Sequence, residues 1–206
     1  MTLIYLVRHG ETDWNLAKRI QGSTDIPLND TGRAQAATTG QLLARRSWDA
    51  IYSSSLGRAR ETAEIIARET GLDSPVLVDA LVERQYGDAE GLDYRTIEER
   101  YPMGAPVPGR EEREDVAARV LPAIMSIADE HPGESIIIVS HGGVIRTILQ
   151  IVAADTDHGT IRNGSVHSFS HLDGTLELVT FDDPIELESL SCATDDIAEQ
   201  NALEAR

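Results

Sequence analysis

SIIIVSHGGVIRTILQIVAA (135–154) decides the fold. Its first six residues, SIIIVS, are almost continuously apolar and β-branched, the pattern of a strand covered on both faces. GGVIRTILQIVAA (142–154) then reads as a helix. TLIYLV (2–7) is a second strand of the same kind, and it ends on Arg8, His9 and Gly10. A buried strand followed by a helix is the repeating unit of a parallel α/β sheet.

The intervening chain keeps that alternation. TGRAQAATTGQLLARR (31–46) predicts a helix, WDAIYSS (48–54) a short strand, and LGRARETAEIIARETG (56–71) a further helix. In the last of these Ala59, Ala63, Ile66 and Ala67 share a face, and Gly71 stands where a C-cap belongs. PVLVD (75–79) is a third short strand. Residues 80–109 are rich in Gly and Pro, with a short helix near Tyr94–Arg100. EEREDVAARVLPAIMSIADEH (111–131) predicts a longer helix with an acidic first turn, which suits the helix dipole. Pro122 should kink or interrupt it. SVHSFSHLDGTLELVTFD (165–182) alternates around Asp173-Gly174 and reads as an antiparallel hairpin.

The expected architecture is α/β: a three-layer α/β/α sandwich with a mostly parallel central sheet and a small cap. One domain should span 1–181, with the cap at about 91–113, followed by an acidic, aperiodic and flexible tail over 182–206.

The 206 residues carry 18 basic and 35 acidic side chains, a net charge of −17. That balance argues against nucleic acid or an anionic membrane as partner. A small anion can still bind where a few cationic residues converge. The single cysteine, Cys192, cannot form an intrachain disulfide. No signal peptide is evident, and no stretch approaches the ~20 apolar residues of a membrane helix. The expectation is a cytoplasmic protein, as monomer or homodimer.

Ligands of open α/β sheets bind beyond the carboxyl ends of the strands. That places Arg8 and His9 at such a site, and His141 at a second one. A lone histidine after a strand is more often structural, but two strands ending in His-Gly point to one shared pocket. Gly10 and Gly142 remove a Cβ where backbone could approach a ligand. The N–H groups opening the helix after His141 would attract an anion. Arg58 falls in the first turn of the 56–71 helix, where a cation opposes the dipole unless an anion sits between them. By itself Arg58 would pass for a surface charge, as Arg60 does.

Two arginine forks match phosphate oxygens, and a neutral imidazole is a competent nucleophile toward phosphorus. Phosphoryl transfer through a phosphohistidine fits this set, with no metal and no cofactor required. The departing oxygen needs a proton, and a carboxylic acid would supply it. Glu83 is favoured by its place after a strand, with Glu90 and Glu11 as competitors. His131, His158, His167 and His171 suggest structural roles.

Arg8-His9-Gly10-Glu11-Thr12 with Trp14-Asn15 resembles the signature of the histidine phosphatase superfamily, in its phosphoglycerate mutase-like branch. The likeness extends through RIQGSTDIPLNDTGRAQA (19–36), SSSLGRARETAE (53–64), ERQYGDAEGL (83–92) and VSHGG (139–143), and spans roughly 2–181. The resemblance implies that His9 is phosphorylated and that Arg8, Arg58 and His141 hold the phosphoryl group. It implies Glu83 as the proton donor, Asn15 as a further phosphate ligand, and Gln21 and Gly22 as the adjacent substrate loop. It also implies substrate contacts for Tyr86 and Gly142.

The family holds hydrolases and mutases. ERQYGDAEGL is similar to the mutase form, but Asp93 and Tyr94 stand where that form has a lysine. The segment from Glu83 to His141 lacks the length of the mutase insertion with its arginine pair. GREER (109–113) offers Arg110 and Arg113 among acids. A mutase must keep water from its phosphohistidine, and a short cap admits it. The expected function is therefore a metal-independent phosphomonoesterase acting on a small phosphate ester. A 2,3-bisphosphoglycerate-dependent phosphoglycerate mutase is the alternative, followed by a phospho-ligand binding protein with an idle site.

Overall fold

The computed structural model describes residues 1–103, 105–155 and 158–183. The expected tail beyond Asp183, and Cys192 with it, lies outside the described residues. Six strands form one sheet: β1 (Thr2–Arg8), β2 (Ala50–Ser53), β3 (Val76–Leu77), β4 (Ser135–Ser140), β5 (Val166–Leu172) and β6 (Thr175–Thr180). Their order is β3-β2-β4-β1-β5-β6. The β3-β2, β2-β4 and β4-β1 pairs are parallel; β5 joins β1, and β6 joins β5, antiparallel. The sheet is thus mostly parallel, as expected, with the hairpin added at one edge.

The helices are α1 (Asp13–Leu16), α2 (Asp30–Leu43), α3 (Gly57–Thr70), α4 (Tyr94–Arg100), α5 (Arg113–Glu130) and α6 (Gly142–Val152). Alternation along the strands divides them into two layers. Ile4 and Leu6 of β1, with Ile136 and Ile138 of β4, pack against Val116, Val120 and Ile124 of α5 and Val144, Ile145 and Ile148 of α6. Tyr5, Val7, Ile137 and Val139 turn the other way, onto Leu43 of α2 and Ala59, Ala63 and Ile66 of α3. Each fully buried aliphatic side chain contributes roughly 1.5–3 kcal/mol, so the central strands are the rigid part of the molecule.

Two expectations change. α5 runs unbroken for 18 residues through Pro122. Pro122 lies on the exposed side of the helix, as does Ala118, the residue whose carbonyl would accept the N–H that proline lacks. Val116, Val120, Ile124 and Ile127 keep the opposite face docked. The polar loop after β1 also contains a helix. Thr12 and Asn15 form a reciprocal capping box that nucleates the four-residue α1.

Register brings the site together. Arg8 pairs with Ser140 across β1 and β4, and His9 N–H donates to Ser140 O at 3.0 Å. Two adjacent parallel strands therefore deliver His9 and His141 side by side. Among the described residues no helix is long and apolar enough to cross a membrane.

Candidate active site

His9 and His141 are buried, with ring centroids 5.1 Å apart. His9 Nδ1 lies 2.7 Å from Gly10 O. A carbonyl can only accept, so Nδ1 carries the proton and the Nε2 lone pair is left for chemistry. Burial, then the Arg58 and Arg8 charges, hold His9 well below the ordinary imidazole value of 6.5. The ring is therefore neutral at pH 7. His141 is depressed in the same way, by burial first and then by Arg58 and His9.

Both arginines are fully buried. Arg8 Nη1 donates to Ile161 O at 2.7 Å. Arg58 spans the loop after α1, donating from Nη1 to Thr24 O at 2.9 Å and from Nη2 to Gly22 O at 2.7 Å. Arg60, as expected, is exposed, and it pairs with Glu64 at 3.7 Å. Asn15 is buried; its Oδ1 accepts from Thr12 N–H at 3.1 Å, and its Nδ2 has no partner among the described residues. Gln21 is also buried, and its Oε1 accepts from Thr12 Oγ1 at 2.9 Å.

Of the three candidate acids, Glu83 reaches the pocket. Its Oε1 accepts from Arg84 N–H at 2.8 Å and its Oε2 from Gly143 N–H at 3.1 Å. The group that occupies the opening turn of α6 in this structure is thus the Glu83 carboxyl. A Cβ on Gly143 would lie 2.6 Å from Glu83 Oε1 and 3.1 Å from Tyr86 Oη. Only glycine lets the acid and the tyrosine close over that turn. Gly142 is buried at the first position of α6.

The competitors are used elsewhere. Glu90 accepts from Ser23 and Thr24, backbone and hydroxyl alike, and from Tyr86 N–H. Burial pushes its carboxyl up, but those donors outweigh it and leave the value lowered. Glu90 is the anchor that shapes the Gln21–Thr24 loop. Glu11 accepts from Asn29 Nδ2 at 2.8 Å, at the start of α2. Gly10 needs a further correction. Its missing Cβ admits Gly32, whose carbonyl oxygen would lie 2.3 Å away. Packing of the turn after β1 against α2 is enough to demand glycine there.

Sequence reasoning missed several supporting side chains. Asn163 Nδ2 donates to His9 O at 2.9 Å and reaches Asn15 Oδ1 at 3.4 Å. Thr62 Oγ1 accepts Gly10 N–H at 3.1 Å and donates to Arg58 O at 2.7 Å. Ser54 Oγ accepts Leu56 N–H at 3.2 Å and lies 2.8 Å from His141 Nε2. Arg119 donates to the carbonyls of Ala80, Val82 and Glu83, and so braces the segment that carries the acid. None carries a spacing signal; each is a small or polar side chain far away in sequence. Two of the remaining histidines are held in hydrogen-bond networks away from His9. His167 is buried between Ser165 Oγ and Asp182 N–H, with its value lowered to about 3, mainly by burial. His131 bridges Tyr52 and Glu134. Among the described residues no cluster of three His, Cys, Asp or Glu could hold a metal.

The fold and these side chains define an α/β protein that gathers two histidines and two arginines, all buried, at the carboxyl edge of its sheet. The chain belongs to the histidine phosphatase superfamily (branch 1), whose family model matches residues 4–184. It is 43% identical over 150 residues to the uncharacterized phosphatase PhoE of Bacillus subtilis, covering 72% of this chain and 76% of that one. It is 37% identical over 179 residues to a metal-independent phosphoserine phosphatase of Arabidopsis thaliana, covering 81% and 75%. The solved structure of Bacillus stearothermophilus YhfR superposes with a TM-score of 0.77 at 36% identity, covering 89% and 98%. Other relatives carry phosphoglycerate mutase names.

Proposed function

We propose that this protein is a phosphomonoesterase that hydrolyses a small phosphate ester through a phosphohistidine on His9. The observation that carries the reading is the His9–Gly10 contact at 2.7 Å, which leaves Nε2 unprotonated inside a cationic pocket. Nε2 attacks phosphorus as the ester P–O bond breaks, and Glu83, as the acid, gives its proton to the departing alkoxide. Arg8, Arg58 and Asn15 Nδ2 stabilise the phosphoryl oxygens, so the reading invokes no metal. Because Ser54 Oγ already accepts Leu56 N–H, its hydroxyl proton can go to His141 Nε2. His141 then presents Nδ1–H, a buried donor, to the phosphoryl group. In the second half-reaction the Glu83 carboxylate takes a proton from water as its oxygen attacks the phosphohistidine. Inorganic phosphate leaves, and His9 and the acid are restored.

Hydrolysis is favoured over mutase chemistry by the cap, which consists of the seven-residue α4 and flanking loops. A cover of that size suits a pocket that admits water. The Tyr86-Gly87 pair and the mutase-named relatives support the second reading, a bisphosphoglycerate-dependent mutase. Release of inorganic phosphate from p-nitrophenyl phosphate and from alkyl phosphates, abolished by His9→Ala, is the expected result. Conversion of 3-phosphoglycerate to 2-phosphoglycerate with bisphosphoglycerate, without phosphate release, would overturn it in favour of the mutase. Neither turnover nor labelling of His9 would point to a binding protein.

A further inference from the structure

Two peptide units meet at Gly10, and side chains from distant parts of the chain hold them both. In the first unit, His9 O accepts from Asn163 Nδ2 at 2.9 Å and Gly10 N–H donates to Thr62 Oγ1 at 3.1 Å. In the second, Gly10 O lies 2.7 Å from His9 Nδ1 and Glu11 N–H donates to Gln35 Oε1 at 2.8 Å. Asn163 comes from the loop before β5, Thr62 from α3 and Gln35 from α2.

The second unit decides the tautomer of His9. A trans peptide is planar and carries its N–H and C=O on opposite edges, so the direction of Glu11 N–H fixes that of Gly10 O. Gly10 itself does little to fix it, because glycine hinders rotation of the following peptide least. Gln35 is the side chain that holds this N–H. Its bond also polarises the carbonyl on the other edge and strengthens the bond which that carbonyl accepts. Were Gly10 O turned away, Nδ1 would lose this acceptor, and an imidazole protonated on Nε2 has no lone pair there to attack phosphorus. Gln35 is placed to prevent this. It is half-buried, three residues after Gly32, whose backbone packs against Gly10. One turn further along the same face of α2, Thr39 Oγ1 donates to Gly164 O at 2.9 Å, beside Asn163. A single helix face thus supports the turn after β1 and the loop that clamps it.

We propose that Gln35 is a positioning residue for the nucleophile: by holding Glu11 N–H it points Gly10 O at His9 Nδ1 and keeps the proton off Nε2. The inference rests on the phosphomonoesterase reading and deepens it. Gln35 acts through one peptide unit on the ring, the part that a carboxylate plays directly where it orients a catalytic imidazole.

The test reads the tautomer directly. NMR of the 15N-labelled protein shows which ring nitrogen of each histidine carries a proton, and loss of signals in His9→Ala identifies those of His9. In the unaltered protein His9 should carry its proton on Nδ1. Gln35→Met keeps the length of the side chain but has no oxygen, so the Nε2–H form should become populated. kcat should then fall about tenfold, the size of one hydrogen bond's contribution, with KM little changed. The loss should be equal on p-nitrophenyl phosphate and on alkyl phosphates, because one nucleophile serves both. Gln35→Glu, which restores an acceptor oxygen at the same reach, should return the Nδ1–H form and most of the rate. If Gln35→Met does not fold, Gln35→Asn puts the same question with a polar side chain one methylene too short. His9 still protonated only on Nδ1 in the folded Met or Asn variant, whatever its stability, overturns the proposal, because Gln35 then merely packs α2. Phosphate release by the unaltered protein tests the hydrolase reading separately: if it fails while the tautomer answers to Gln35, the positioning stands and only the reaction assigned to it falls.

Discussion

At the scale of single residues, the site depends on which nitrogen carries a proton. His9 is pushed down by burial and by Arg58 more than by Arg8. Its proton binds only in acid, so the neutral nucleophile persists below pH 6.5 and is lost as pH falls through the depressed value. NMR titration of the free protein should show the His9 ring still neutral at pH 6. Arg58→Met should move that titration upward, toward neutrality, since the largest opposing charge is gone. An unmoved titration would separate Arg58 from His9 electrostatically. Gly143 offers a second test. Alanine there is the better helix former by roughly 1 kcal/mol, yet its methyl would lie 2.6 Å from Glu83 Oε1. Gly143→Ala should therefore fold while displacing the acid. kcat on alkyl phosphates should fall about a hundredfold, and on p-nitrophenyl phosphate, whose leaving group needs little protonation, far less. Equal losses on both would contradict Glu83 as the proton donor.

At the scale of elements, β1 and β4 were legible because each is a continuous apolar run ending in His-Gly. The physics of a doubly buried strand is local, and so is that of α3 with its capping Gly71. The connecting loops were not legible, because their order comes from distant partners. Nothing in QGSTD (21–25) announces that Glu90 will gather it from beyond α3 and β3. Pro122 misled for the related reason that a proline penalty depends on which face meets water. The loop carries its own prediction. Glu90 is held ionised by its donors, and glutamine offers one acceptor oxygen where the carboxylate has two. Glu90→Gln should lose about 1.5–3 kcal/mol, as hydrogen bonds to a charged acceptor do. It should also raise KM as the Gln21–Thr24 loop and Arg58 relax together. Thermal unfolding and steady-state kinetics check both, and an unchanged KM would show that the loop is ordered without it.

At the scale of the whole molecule, two fields of opposite sign meet. The chain carries a net charge of −17, yet Arg8 and Arg58 converge on its two buried histidines. Composition alone argues against polyanionic partners but could not reveal the pocket, since two strand ends and one helix end must first be brought together to form it. The two fields also differ in reach. Surface repulsion acts across solvent and is screened once the Debye length shrinks from about 30 Å at 0.01 M to about 8 Å at 0.15 M. Contacts in a buried pocket are screened much less. Raising ionic strength over that range should therefore increase kcat/KM for an anionic ester by about two- to threefold, by relieving repulsion during approach. kcat should change little, because the chemistry takes place inside the pocket. A multiply charged substrate should respond more than p-nitrophenyl phosphate, in the order of their charges. A fall in kcat/KM with salt would mean that the arginine field extends beyond the pocket mouth and that attraction, not repulsion, governs encounter.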